Sequence, residues 1–111
     1  MQEIGFKHKR IGNDRFRISV SYAGRSHDFD WYEAPGVTGR AAPPQQRKVL
    51  TFLALTVATS HMPFDTWRED VGVDDTRTAR ELHAREQKKA EHIRDLFGPD
   101  VRDLMRQYCD A

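Results

Sequence analysis

Five carboxylates crowd into eleven residues: Asp65, Glu69, Asp70, Asp74 and Asp75, with only Arg68 among them in balance. Carboxylates at that density can hold a divalent cation. The spacing lacks the internal glycine and the closing bidentate glutamate of a calcium loop. Helix capping accounts for Asp74 or Asp75, because a carboxylate is favourable at the positive end of a helix. The other reading is an acidic patch that docks on a basic protein surface. A second pair, Asp28 and Asp30, flanks Phe29 on one face of a strand. Paired carboxylates can bind a metal or share a proton, but no lysine stands near at nuclease-like spacing, so they read as surface groups. The five histidines, His8, His27, His61, His83 and His92, form no zinc-ligand spacing with each other or with Cys109. Cys109 has no base beside it and is no candidate nucleophile. Gly36 and Gly39 lie in a Pro-containing connection and do not make a phosphate loop. No catalytic residue, metal ligand or cofactor is expected, and the reading is of a protein that is not an enzyme.

The cations are arranged by strand and by helix. Residues 1–30 hold Lys7, Lys9, Arg10, Arg15, Arg17 and Arg25 against Glu3, Asp14, Asp28 and Asp30. Lys7 and Lys9 share the parity opposite Phe6. Arg15 and Arg17 share the parity opposite Phe16 and Ile18. A sheet built this way has a basic outer face over two strands. That face suits a phosphate or an acidic protein. It is equally the ordinary solvated face of a sheet whose edge lysines block strand addition. Further on, Arg77, Arg80, Arg85, Lys88, Lys89 and Arg94 interleave with Glu81, Glu86, Glu91 and Asp95. This reads as a solvent-exposed helix laced with weak ion pairs, or as a partner-facing helix. No aromatic alternates with these cations, which argues against a stacking platform for single strands.

The elements that carry these groups follow from periodicity. Phe16, Ile18, Val20 and Tyr22 alternate with Arg15, Arg17, Ser19 and Ser21, the period of a strand with one dry face. Ile4, Phe6 and His8 share one parity ahead of it. Phe29 and Trp31 share another after it, in a strand expected over 27–32. Gly12-Asn13-Asp14 and Ala23-Gly24-Arg25 supply turn chemistry, the first through residues that tolerate the positive φ of tight hairpins. A three-stranded meander is too small to stand alone and needs a cover. Residues 34–44 are rich in Gly and Pro and are expected to be a flexible loop. Pro43-Pro44 then starts a helix over 45–60, with Val49, Leu50, Phe52, Leu53 and Val57 in a broad apolar face. This helix should plug the greasy face of the sheet. Pro63 ends it. A short helical turn follows over 64–70, with Phe64 and Trp67 one turn apart. A long helix over 76–97 carries Ala79, Leu82, Ala90, Ile93 and Phe97 as its stripe. Gly98-Pro99 stops it, and a last helix runs over 100–108. The prediction is one α+β domain: a β-meander in 1–33, a loop in 34–44, and a helical half in 45–111, with the antiparallel sheet packed on a bundle of three to four helices.

Composition bounds the class. The chain has 111 residues, 38% hydrophobic and 32% charged, which suits one globular domain. Eighteen Lys and Arg against seventeen Asp and Glu leave a net charge of +1, too little for strong attraction to polyanions. Most of the cations are arginine, which favours planar and stacked contacts at specific interfaces. A single cysteine makes no internal disulfide, and a reducing compartment is expected. No signal-peptide pattern opens the sequence, and the apolar run of 49–57 is too short to span a bilayer. The expected location is cytoplasmic, as a monomer or homodimer without a membrane partner.

The run Phe64-Asp65-Thr66-Trp67-Arg68-Glu69-Asp70-Val71-Gly72-Val73-Asp74-Asp75-Thr76-Arg77 resembles a segment common in small phage- and mobile-element-encoded proteins. In those, a leucine-rich helix precedes a Phe-x-x-Trp turn, then Gly-Tyr-Asp-x-Asp-Ser-Arg, then a long charged helix ending near Leu-Phe. Leu96-Phe97-Gly98 matches that ending. The likeness covers about half of the chain; Val73 stands where an aromatic is usual and Thr76 where Ser is usual. The motif is one of capping and packing, a fold signature more than an activity signature. The resemblance implies a viral or mobile-element origin. It further implies a non-enzymatic inhibitor of host defence, such as an anti-CRISPR protein, occluding a host protein or ribonucleoprotein in the host cell. The partner-binding candidates are Lys7, Lys9, Arg15, Arg17, Asp65, Glu69, Asp70, Asp74 and Asp75. The alternative is a small DNA- or RNA-binding accessory protein that uses the basic sheet face. In either case function is expected on the outer faces and not in a pocket.

Overall fold

The computed structural model describes residues 2–109. Strands β1 (Gly5–Arg10), β2 (Arg15–Tyr22) and β3 (Arg25–Tyr32) form an antiparallel sheet in sequence order. Helices α1 (Gln46–Thr59), α2 (Phe64–Val71), α3 (Arg77–Phe97) and α4 (Val101–Tyr108) follow, with a 3-10 turn at Gly98–Asp100 between the last two. The α+β class and the order of its halves are those expected.

The register shows why β2 organises the sheet. Ile18 faces His8 on one side and Phe29 on the other; Val20 faces Phe6 and His27; Phe16 faces Trp31. Phe16, Ile18, Val20 and Tyr22 are buried, while Arg15 and Arg17 stay exposed between them. The edge strands bury less, and Phe6, Phe29 and Trp31 are half-covered. Both expected turns form, and the positive φ belongs to the second of them. Ala23 (φ 51°) and Gly24 (φ 79°) make the two-residue hairpin between β2 and β3, while Gly12 and Asn13 have no positive φ. The β1–β2 connection spans Ile11 to Asp14 and has no need of left-handed backbone. The loop over 34–44, expected to be flexible, is pinned in its second half. Ala41 is buried, its N–H donates to the Asn13 carbonyl, and the Arg10 guanidinium donates to the Ala41 carbonyl at 2.6 Å. Arg10 also stacks 4.6 Å over the Phe16 ring.

Helix α1 is central. Val49, Leu50, Leu53, Ala54 and Val57 are buried against the β2 side chains and against α3 and α4. Its Thr56 and Thr59 hydroxyls donate to the carbonyls of Phe52 and Leu55, which satisfies them inside an apolar helix. Phe97, fully buried at the end of α3, places its ring 4.9 Å from that of Tyr22 and pins the helices to the sheet. The Tyr22 hydroxyl donates to Asp100 at 2.5 Å and accepts from the Gln2 N–H. Burial, then Asp100, pushes that hydroxyl above the usual tyrosine range.

Two expectations about α3 are corrected. Its N-cap is Thr76, whose hydroxyl accepts the Ala79 N–H at 3.1 Å; Asp74 and Asp75 do not cap. Thr76 has the extended backbone of a cap residue (φ −124°, ψ 162°) directly before Arg77. The buried stripe contains His83 in place of Leu82, which is exposed. The His83 ring nitrogen lies 3.0 Å from the Met62 carbonyl, and Phe64 and Trp67 flank the ring. With a partner for its polar edge, the flat imidazole fits where leucine was expected.

Candidate functional site

The structure brings the basic strand residues together. Lys7 and Lys9 of β1 lie on the outer face opposite Ser19 and Arg17. Arg15 lies one pair further along β2, opposite Tyr32. The same face continues onto β3, where Asp28 opposes Ser19 and Asp30 opposes Arg17. The Arg17 guanidinium donates to Asp30 at 2.6 Å, and both side chains remain about half exposed. Charge on this face therefore changes sign across the sheet, from lysine on β1 to aspartate on β3. Lys7 and Lys9 stand on an edge strand, where cations also discourage another strand from adding.

The acidic segment is carried elsewhere, by α2 and its connection to α3, and these two helices pack on each other. It is threaded by arginine. Arg68 pairs with Asp65 at 3.1 Å. Arg80 makes two bonds of 2.8 Å to the Asp75 carboxylate and lies 4.5 Å over the Phe64 ring. Hydrogen bonding to Arg80 holds the Asp75 carboxyl below the usual range. Glu69, Asp70 and Asp74 are exposed at its surface. The nine sequence candidates thus fall into two separate patches, four on the sheet and five on α2 and its connection to α3. Among the described residues no cluster of three or more His, Cys, Asp or Glu is placed to hold a metal ion.

A third feature escaped the sequence reading. Between β3, α1 and α3 runs an open groove of about 540 Å³. Phe29 and Trp31 line one wall, Phe52 and Leu55 another, and Ile93 the third. The Trp31 ring meets Phe52 edge-on at 5.3 Å. Phe52 and Leu55 are nearly half exposed and Tyr32 more so. Glu33, just past β3, accepts from the Trp31 indole and from Lys48. Burial pushes the Glu33 carboxyl up, but these two donors outweigh it and hold it below the usual range. His27 stacks on Phe29 and meets His92 of α3 edge-on at 5.3 Å. Burial, then the neighbouring His92, lowers its pKa, so the ring is neutral at pH 7. The sequence held one signal for this groove. Helix α1 carries apolar residues beyond the face a single layer can cover, and Phe52 and Leu55 are the surplus.

No family model, curated protein or solved structure matches the chain. No helix among the described residues is long and apolar enough to cross a membrane.

Proposed function

We propose that this protein is a non-enzymatic binding module that docks on a partner protein through the solvent face of its sheet and inhibits or modulates it by occlusion. The observation that supports this reading is the change of charge sign across that face. A phosphate backbone laid on Lys7, Lys9 and Arg15 would run against Asp28 and Asp30, on the next strand of the same face. A protein surface of mixed charge can match both ends at once, and such matching sets orientation and excludes wrong partners. The resemblance of 64–77 to small phage- and mobile-element-encoded proteins makes a host protein or ribonucleoprotein the candidate partner. The corresponding role is that of an anti-CRISPR or other anti-defence inhibitor in the host cytoplasm.

The test is affinity capture with the intact protein and two outer-face variants, Lys7→Glu/Lys9→Glu and Asp28→Lys. A stoichiometric partner should be retained by the wild type and lost from both variants. Retention unaffected by either reversal refutes the docking face. Duplex DNA or RNA binding at physiological salt, with log K against log salt sloping at about −3 as for three to four phosphate contacts, replaces the protein reading with a nucleic-acid one.

A further inference from the structure

The geometry points to the groove between β3, α1 and α3 as a second docking site, whose occupant is an amphipathic helix with carboxylates flanking its apolar face. This goes beyond the outer-face reading, since it uses the core-side edge of the sheet. The groove follows β3 from His27 to Tyr32. At roughly 3.3 Å per residue that is about 17 Å, the length of about three helical turns. Its lining is aromatic and aliphatic, and Phe52, Leu55 and Tyr32 keep substantial apolar surface in water. A strip of that length matches anchors at i, i+3 or i+4, i+7 and i+11.

Charge selects the flanks of the occupant. Two ammonium groups border the strip from different walls, Lys48 from α1 and Lys89 from α3. Lys48 bonds Glu33 at 2.9 Å with its side chain 61% exposed, which leaves donors facing solvent. Lys89 reaches Glu86 at 3.3 Å and is also more than half exposed. Among the described residues Asp30 is the one carboxylate in the lining, against two lysines, so the lining itself carries the positive excess. Two separated cations beside an elongated strip suit a polypeptide with acids on both sides of its apolar face better than a ligand with one anionic head.

The probe is a fluorescein-labelled helical peptide of about sixteen residues, with Leu and Phe at those anchor positions and Glu on both flanks. Its twin carries Lys in place of Glu. Binding is read by fluorescence anisotropy and mapped by amide chemical-shift changes. The Glu peptide should bind and shift resonances along β3 and α1, and the Lys peptide should bind at least fivefold more weakly. Leu55→Glu, at an exposed position, should weaken binding by about tenfold or more. Lys48→Glu/Lys89→Glu should weaken it roughly fivefold. Arg77→Glu, more than three turns along α3 from Lys89, should leave it unchanged. Equal binding of the two peptides, shifts outside the groove, or no binding below 1 mM (about −4 kcal/mol) overturns the proposal. So do groove shifts that follow protein concentration alone, which would make a second copy the occupant. Decanoate shifting the same resonances more tightly than either peptide also overturns it. None of these outcomes bears on the outer-face charge reversals, so the two readings fail separately.

Discussion

Phe97→Ala tests whether the sheet and the helices unfold as one unit. The ring is fully buried, lies tilted against Tyr22 of β2, and sits in the same cluster as Leu50, Ile93 and Leu104. Truncating a buried phenylalanine loses its transfer energy and leaves a cavity, which together cost about 3–5 kcal/mol. That is a large share of the roughly 5–15 kcal/mol that holds a domain of this size. At about 2.1 cal/mol/K per residue, 111 residues give an unfolding entropy of about 0.23 kcal/mol/K. A loss of about 4 kcal/mol therefore lowers Tm by roughly 17 °C. The chain supplies its own reporters, because Trp31 lies on β3 and Trp67 on α2. Urea unfolding of Trp67→Phe follows the sheet by Trp31 fluorescence, while far-UV circular dichroism follows the helices. Both signals should move together, in the parent and in the Phe97→Ala variant. A fall of less than 5 °C, or a Trp31 transition that stays in place while helicity is lost, would refute the pinning role of Phe97.

Two further predictions concern local features. Thr76→Ala should cost about 1 kcal/mol in urea unfolding, because it removes the α3 cap, while Asp74→Ala should stay within about 0.5 kcal/mol of wild type; the reverse ranking would restore aspartate as the cap. The fold favours an uncharged His27, so below pH 6.5 the unfolded chain binds more protons. Stability contributed by this ring is then full above pH 6.5 and is lost as pH falls through that value. Burial and then His92 drive this, against the opposing Asp28. His27→Phe should flatten Tm between pH 7 and 5, and an unchanged pH profile would remove His27 as its source.

Much of the fold was legible because the buried face of β2 repeats every second residue and each helix has a proline or glycine at an end. The α3 cap was misplaced by one or two residues, since Asp74, Asp75 and Thr76 are all good capping types. Only the backbone path selects among them, and it frees Asp75 for Arg80. Leu82 and His83 exchanged expected roles for a similar reason. Hydropathy ranks leucine as the core residue, but the Met62 carbonyl and the Phe64 and Trp67 rings complete a site for imidazole. The outward cations of β1 and β2 and the outward Asp28 and Asp30 of β3 were all visible from strand parity, yet which of them pair depended on register.

What the sequence determined by itself is local: strand parity, turn and breaker positions, and the segregation of the acidic run from the early cations. These depend on residues within a few positions of one another. The tertiary structure decided what depends on pairs distant in the chain. Register set Asp30 against Arg17, an ion pair across two strands of the outer face. The packing of α1 and α3 against the half-covered β3 left Phe52 and Leu55 on an open apolar groove. Neither follows from periodicity, because both depend on which elements meet and how far one layer can cover another.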